Sequence, residues 1–111
     1  MRFGLFALLV PALALGQVST PTPERQQALL DLLHQDCGSC HGMTLQGGLG
    51  PALLSSALAG KSEAMLAGTI LNGRPGTAMP PWSRFLSREE AEWLVTQLKH
   101  NPPRFNDATR P

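Results

Sequence analysis

Two cysteines and a histidine stand together in the segment 36–42, Asp-Cys-Gly-Ser-Cys-His-Gly, and their spacing constrains the chain more than any other feature. On a helical turn, positions three and four residues apart share a face, so both thiols and the imidazole point the same way. Cys-x-x-Cys-His is the pattern of covalent haem attachment, and small residues between the cysteines let the porphyrin edge approach the backbone. The motif therefore predicts one haem c, attached through Cys37 and Cys40, with His41 as an iron ligand.

Two other uses of the cysteine pair compete with haem attachment. A thioredoxin-like dithiol would sit between a strand and a helix of a parallel sheet, and no strand-like run precedes Cys37. A zinc site would need a second pair of ligands, but the chain has no further cysteine and only His34 and His100 besides the motif. The sequence thus favours haem attachment over both.

Residues 1–16 have the pattern of an export signal. A positive charge and an apolar run are followed by Ala14 and Gly16, small residues at the spacing of a signal-peptidase site. A membrane anchor is the alternative, but the run contains Pro11 and is shorter than the ~20 apolar residues that span a bilayer. We predict cleavage after Gly16, a periplasmic location without a stable membrane anchor, and one cytochrome domain in residues 17–111.

The charge of the chain argues against one class of partner. The sequence has 9 basic and 8 acidic residues, and loss of Arg2 with the leader makes the two numbers equal. Binding of nucleic acid needs a basic face, so we expect no nucleic-acid partner. We expect the protein to be a monomer. A chain of this size buries only a modest core, so a large apolar cofactor would add to its stability.

Capping residues and apolar spacing predict an all-α chain without an alternating strand pattern. Thr22 can cap a first helix that has Pro23 at its first position. A short helical turn over residues 37–41 follows it. The apolar stripe of the first helix consists of Ala28, Leu29, Leu32 and Leu33.

Two further helices are predicted downstream of the haem motif. One spans residues 62–71 and stops at Asn72-Gly73. The last begins at Ser87, which forms a capping box with Glu90, and ends at residues 101–103, Asn-Pro-Pro. Its predicted core face consists of Ala91, Leu94, Val95 and Leu98.

The second axial ligand of the iron is predicted among the methionines. Met43 follows the haem motif too closely to reach the opposite haem face, and Met65 falls in a predicted helix, where a core position is favoured. Met79 lies in the loop 73–82, whose glycines and prolines suit a non-helical strap across a haem face. Met79 is therefore the predicted ligand. A plain buried methionine is one alternative, and ligation by His34 or His100 is the next.

The chain resembles the class I cytochromes c over essentially its whole mature length. The matching residues are Cys37, Cys40 and His41, then Gly50-Pro51-Ala52-Leu53, then Met79-Pro80. The resemblance implies an all-α fold whose helices pack around one covalently bound haem, with the first and last helices crossing beside it. It also implies that the carbonyl of Pro51 accepts the imidazole N–H of His41, which would orient the ring. A plain turn residue is the other interpretation of Pro51.

A closer resemblance is to the cytochrome c-55X (NirC) type of denitrifying bacteria. It is carried by residues 37–44, 47–53 and 73–80. These are small periplasmic cytochromes, and the resemblance implies service to cytochrome cd1 nitrite reductase, either as electron donor or in the maturation of its special haem.

The predicted ligand pair favours electron transfer. A histidine and a methionine together leave no open position on the iron, which disfavours gas binding and peroxide chemistry. We therefore expect a one-electron carrier with no catalytic residue, in short-lived contact with a redox partner protein. The alternatives are a general electron donor to another periplasmic oxidoreductase, and a haem sensor or enzyme with a labile sixth ligand.

Overall fold

The computed structural model describes residues 1–11 and 20–105. Within these ranges the regular elements are helices and no strand is present, which confirms the predicted all-α class. Residues 1–11 form no helix and are exposed, and the predicted cleavage site at Ala14 and Gly16 lies outside the described residues. Among all the described residues, no helix is long and apolar enough to cross a membrane.

The first helix, α1, spans Pro23–Leu32 and begins as predicted. The hydroxyl of Thr22 accepts the N–H of Arg25 at 3.2 Å, and Pro23 occupies the first position. Within the predicted stripe, Leu29 and Leu33 are buried and Leu32 is half-buried. Ala28 is exposed, so its assignment to the stripe is wrong. At ~100° per residue it is the member furthest from the line through Leu29 and Leu33.

Three short helical elements follow α1. A π-helical turn at Leu33–Cys37 leads directly into α2, Gly38–His41, so the predicted turn through the haem motif is helical and continues the first helix. After an irregular segment, α3 spans Ser55–Leu58, an element that the sequence pattern did not predict.

The two longer helices downstream have the predicted caps. Helix α4 spans Glu63–Asn72, and the hydroxyl of Ser62 accepts the N–H of Met65 at 3.1 Å. Helix α5 spans Arg88–His100 and begins with the full capping box. Glu90 donates its N–H to the Ser87 hydroxyl at 3.1 Å, and Ser87 donates its N–H to the Glu90 carboxylate at 2.9 Å.

One apolar core joins these helices, and α5 is at its centre, in contact with α1, α3 and α4. The four residues predicted for the core face of α5 are all buried. No buried polar or charged residue occurs among the described residues. The core consists of Leu29, Leu33, Leu45, Leu58, Ala67, Leu71, Leu86, Ala91, Leu94, Val95 and Leu98.

An ion pair ties α1 to the beginning of α5. The guanidinium of Arg25 donates to the Glu90 carboxylate and, at 3.2 Å, to the carbonyl of Phe85. The hydrogen bond from Arg25 lowers the pKa of Glu90 below its usual value of 4.5, and the backbone N–H of Ser87 acts in the same direction. A lowered pKa means that the folded state favours the carboxylate. This contribution to stability is present at neutral pH and is lost as pH falls through the folded-state pKa.

We predict that Glu90→Gln lowers the free energy of unfolding of the holoprotein by about 1 kcal/mol at pH 7, because the amide keeps the cap but loses the ion pair. Urea unfolding at several pH values between 7 and 3 measures the effect. The difference from the unsubstituted protein should shrink below pH 4.5, the usual pKa of the carboxyl. Glu89→Gln, at the exposed neighbouring position, is the control. An equal loss of stability at pH 7 and pH 3 would contradict this assignment.

Candidate functional site

The two cysteines stand at the end of one continuous helical segment that starts at Pro23. The N–H of Gly38 bonds to the carbonyl of Leu33, which closes the π-helical turn. One extra residue in a turn shifts every later side chain by roughly the ~100° that a residue occupies in an α-helix. Without it, Cys37 and His41 would continue the stripe of Leu29 and Leu33 into the core. The π-helical turn therefore brings Gly38 into the buried position that Cys37 would otherwise occupy, and it leaves Cys37 and His41 half-buried.

Both cysteines are half-buried free thiols. Cys37 packs against the core, and burial raises the pKa of its thiol to about 11, with the negative charge of Asp36 acting in the same direction. Because the thiolate is the reactive form, a thiol with so high a pKa is a poor redox nucleophile at neutral pH. This disfavours the thioredoxin-like alternative.

The side chain of His41 is held by Pro51. Its Nδ1 lies 2.6 Å from the Pro51 carbonyl oxygen, which confirms the contact that the class I resemblance implied. A carbonyl can only accept, so Nδ1 must carry the proton, and Nε2 is left with a free lone pair. Such an outer hydrogen bond orients a metal-binding imidazole and raises its basicity.

The loop between His41 and Pro51 folds back on the end of α2. Gly47 and Gly50 donate their N–H groups to the carbonyls of His41 and Cys40, each at 2.8 Å, so these helix-terminal carbonyls are satisfied. Gly50 also lies against the imidazole, since an added Cβ would be only 3.0 Å from Nδ1 of His41. The ring is thus held by a hydrogen bond on one atom and by close packing from the loop.

Met79 lies in the predicted non-helical strap, between α4 and α5. The N–H of Arg74 bonds to the Met79 carbonyl at 3.1 Å, and Trp82 and Ser83 bond through their N–H groups to the carbonyls of Ile70 and Leu71 in α4. Met79 is half-buried, and Trp82 packs against the core. The strap is therefore fixed to the fold by its own backbone.

The other methionines occupy different surroundings. Met43 packs behind the motif, where an added Cβ on Gly38 would lie 3.3 Å from its sulfur, so the small residue there makes room for Met43. Met65, in the first turn of α4, is 50% exposed. Its predicted core position is therefore wrong, because two residues at ~100° each place Met65 on the side of α4 opposite to the buried Ala67.

The two other histidines already have partners away from the motif. The ring of His34 stacks on Phe105 with ring centroids 4.3 Å apart. Nε2 of His100 lies 2.9 Å from the Glu63 carboxylate on the neighbouring helix. Neither environment resembles the arrangement around His41.

These donors fit a covalently bound haem. The free thiols of Cys37 and Cys40 lie one helical turn apart. The next residue is His41, whose Nδ1 is bonded to the Pro51 carbonyl, so that its Nε2 can bind a metal. The strap contains the thioether of Met79, the predicted second ligand. No three His, Cys, Asp or Glu side chains come together within residues 1–11 and 20–105, whereas a structural zinc site would need four ligands.

A small all-α chain with this set of side chains is a c-type cytochrome. The family model described as cytochrome c oxidase, cbb3-type, subunit III matches residues 24–96. The chain is 53% identical over 93 residues to cytochrome c55X of Pseudomonas aeruginosa, covering 84% of this chain and 76% of the relative. It is 46% identical over 103 residues to cytochrome c55X of Stutzerimonas stutzeri, covering 93% and 91%. The chain belongs to the cytochrome c55X family, and it carries haem c covalently.

Two solved structures share this fold. One, a c-type cytochrome NirC, is 56% identical with a TM-score of 0.70, covering 71% of this chain and 93% of that one. The other is the dihydro-haem d1 dehydrogenase NirN, 39% identical with a TM-score of 0.61, covering 68% of this chain but 16% of the dehydrogenase. The dehydrogenase of Pseudomonas aeruginosa is likewise 40% identical over 73 residues, 15% of its length. The chain thus corresponds to one small part of that enzyme.

Sequence reasoning missed two features of the site. The π-helical turn at Leu33–Cys37 has no local signature, although the leucine stripe running into the motif was a signal that the helical phase had to change. The contact of Gly50 with the imidazole was also missed, and the glycine directly before Pro51 was its signal.

We predict that the purified protein has the mass of one chain plus one haem, and that acidified acetone does not extract the haem. Cys37→Ala should leave at most one thioether bond and lower the yield of holoprotein, because one of the two attachment points is lost. Ser39→Ala, at an exposed position between the cysteines, is the matched control. Intact mass and the pyridine haemochrome spectrum measure both. A normal yield of holoprotein from the Cys37→Ala variant would contradict attachment through Cys37.

Proposed function

We propose that this protein is a periplasmic one-electron carrier of denitrification, with His41 and Met79 as the axial ligands of one haem c held by Cys37 and Cys40. The observation that carries the proposal is the hydrogen bond from Nδ1 of His41 to the Pro51 carbonyl, which leaves Nε2 free for iron. Together with a thioether on a fixed strap, it supports a closed ligand set and therefore electron transfer.

Each residue has a distinct part in this function. When bound, the haem supplies a one-electron couple between ferric and ferrous iron. Cys37 and Cys40 hold it covalently, and Pro51 keeps the imidazole of His41 in one orientation. The thioether of Met79 favours the ferrous state and so raises the reduction potential. Because both ligands come from segments tied to the core, little geometry should change when an electron moves.

The surroundings of the other candidate ligands support Met79. His34 is stacked on Phe105, and His100 is paired with Glu63, so ligation by either would break an existing contact. An enzyme or sensor would need a labile sixth ligand, whereas the Met79 carbonyl is bonded within its strap. A general donor to another periplasmic oxidoreductase remains the second candidate, because it uses the same ligand set.

The likeness to dihydro-haem d1 dehydrogenase supports a role in the maturation of cytochrome cd1 nitrite reductase. Part of that enzyme is 40% identical to this chain, so one part of the dehydrogenase is of the same type as this protein. Dehydrogenation releases two electrons and two protons, and each substrate molecule would therefore reduce two molecules of a one-electron carrier. Direct donation of electrons to the nitrite reductase is the other role that we propose to test.

Export is part of the proposal. The apolar run and the small residues at Ala14 and Gly16 support removal of residues 1–16 during transport to the periplasm. The intact mass of the protein from a periplasmic extract should then correspond to a monomeric chain that begins at Gln17, with one haem. A haem-bearing chain that still contains residues 1–16 would contradict cleavage.

We predict that Met79→Ala opens the iron to external ligands and lowers the reduction potential on the order of 0.1 V or more, within the ~0.8 V over which axial ligands set haem potentials. Carbon monoxide binding to the ferrous protein and loss of the sulfur-to-iron band of the ferric protein measure the first effect. Met65→Ala, at the half-exposed methionine of α4, is the control. An unchanged spectrum in the Met79→Ala protein would move the ligand elsewhere.

The partner is tested by two rapid-mixing measurements. In one, the ferric protein meets dihydro-haem d1 dehydrogenase with its substrate. In the other, the ferrous protein meets cytochrome cd1 nitrite reductase with nitrite. Faster reduction in the first supports maturation, and faster oxidation in the second supports direct donation. An unrelated class I cytochrome c of similar potential is the control, and rates no higher than the control in both would contradict the proposed service.

A further inference from the structure

Gly73, the residue at which α4 ends, has a backbone conformation that other residues avoid. Its φ is 67° and its ψ is −171°, a region that is essentially restricted to glycine. Its N–H bonds to the carbonyl of Thr69 at 2.9 Å and so closes the helix. The chain leaves α4 here and enters the strap that carries Met79.

The backbone of the methionine segment passes directly over Gly73. An added Cβ would lie 2.7 Å from the Met79 carbonyl oxygen, 2.8 Å from the carbonyl carbon of Pro80 and 2.8 Å from the nitrogen of Pro81. All three are main-chain atoms, so no side chain can turn aside to make room. Any side chain at position 73 must push residues 79–81 away from the end of α4.

Hydrogen bonds hold the Met79 peptide groups in the same place. The N–H of Arg74 bonds to the Met79 carbonyl at 3.1 Å. The hydroxyl of Thr77 donates to the Arg74 carbonyl at 2.6 Å and accepts the Met79 N–H at 3.3 Å. Met79 is therefore bonded on both its N–H and its carbonyl while its backbone rests on Gly73.

We propose that Gly73 is a positioning residue for the axial thioether: the missing side chain sets how close the Met79 backbone lies to α4, and the Thr77 hydroxyl completes the arrangement. The proposal rests on the proposed ligation by Met79. The bonds from Trp82 and Ser83 to α4 lie beyond the crowded segment, so a side chain at position 73 should move the ligand locally while the fold persists.

Imidazole titration of the ferric holoprotein tests this, because imidazole has to displace the methionine. Gly73→Ala should raise the affinity for imidazole by about tenfold or more and weaken the sulfur-to-iron band, since the Cβ contacts and the backbone strain act on the same peptide. Gly76→Ala is the matched control. Gly76 lies in the same strap with a φ of 80°, but no atom lies within 4 Å of its added Cβ. Gly76→Ala therefore brings backbone strain without the contacts, and it should change the imidazole affinity and the spectrum much less than Gly73→Ala.

Each result separates the alternatives. Equal imidazole affinity in the Gly73→Ala and unsubstituted proteins overturns the inference, and so does an equal effect of Gly76→Ala, which would reflect backbone strain alone. Thr77→Val, at an exposed position, should raise the affinity in the same direction by a smaller factor. If Gly73→Ala does not yield holoprotein, an unchanged affinity in Thr77→Val overturns the inference. If Met79→Ala itself leaves the imidazole affinity unchanged, the proposed ligation by Met79 is wrong, and the inference about Gly73 fails with it.

Discussion

The hydrogen bond between Nδ1 of His41 and the Pro51 carbonyl is the interaction on which the rest of the site depends. It fixes the tautomer of the imidazole, because a carbonyl cannot donate, and it thereby decides which nitrogen is available to iron. The bond exists only because the intervening loop caps α2 and returns Pro51 to the ring. The same loop brings Gly50 against the imidazole, so orientation and packing are set together.

The two proposed ligands lie on separate segments of the chain, and α5 packs against the supports of both. The His41 segment continues from α1, which Arg25 ties to the start of α5 through Glu90. The Met79 strap leaves α4, which packs against α5 along the core. Helix α5, which itself carries no proposed ligand, thus packs against the supports of both ligand-bearing segments, and it does so with the buried residues Ala91, Leu94, Val95 and Leu98.

This chain, a member of the cytochrome c55X family, is also similar to a small part of a larger enzyme. The dihydro-haem d1 dehydrogenase corresponds to this chain over 15% of its length, so the same kind of domain occurs both alone and within an enzyme. A domain whose ligand-bearing segments are anchored to its own core suits both settings, because its electron site does not need the surrounding protein for its geometry.

The haem motif, the helix caps and the non-helical strap could be predicted from the amino-acid order, because each depends on residues within a few positions of one another. Thr22, Ser62 and the Ser87–Glu90 box were predictable for this reason. The π-helical turn and the partners of His34 and His100 became visible only in the folded chain. Those features depend on which segments meet when the core closes, and sequence spacing carries no record of contacts between distant parts of the chain.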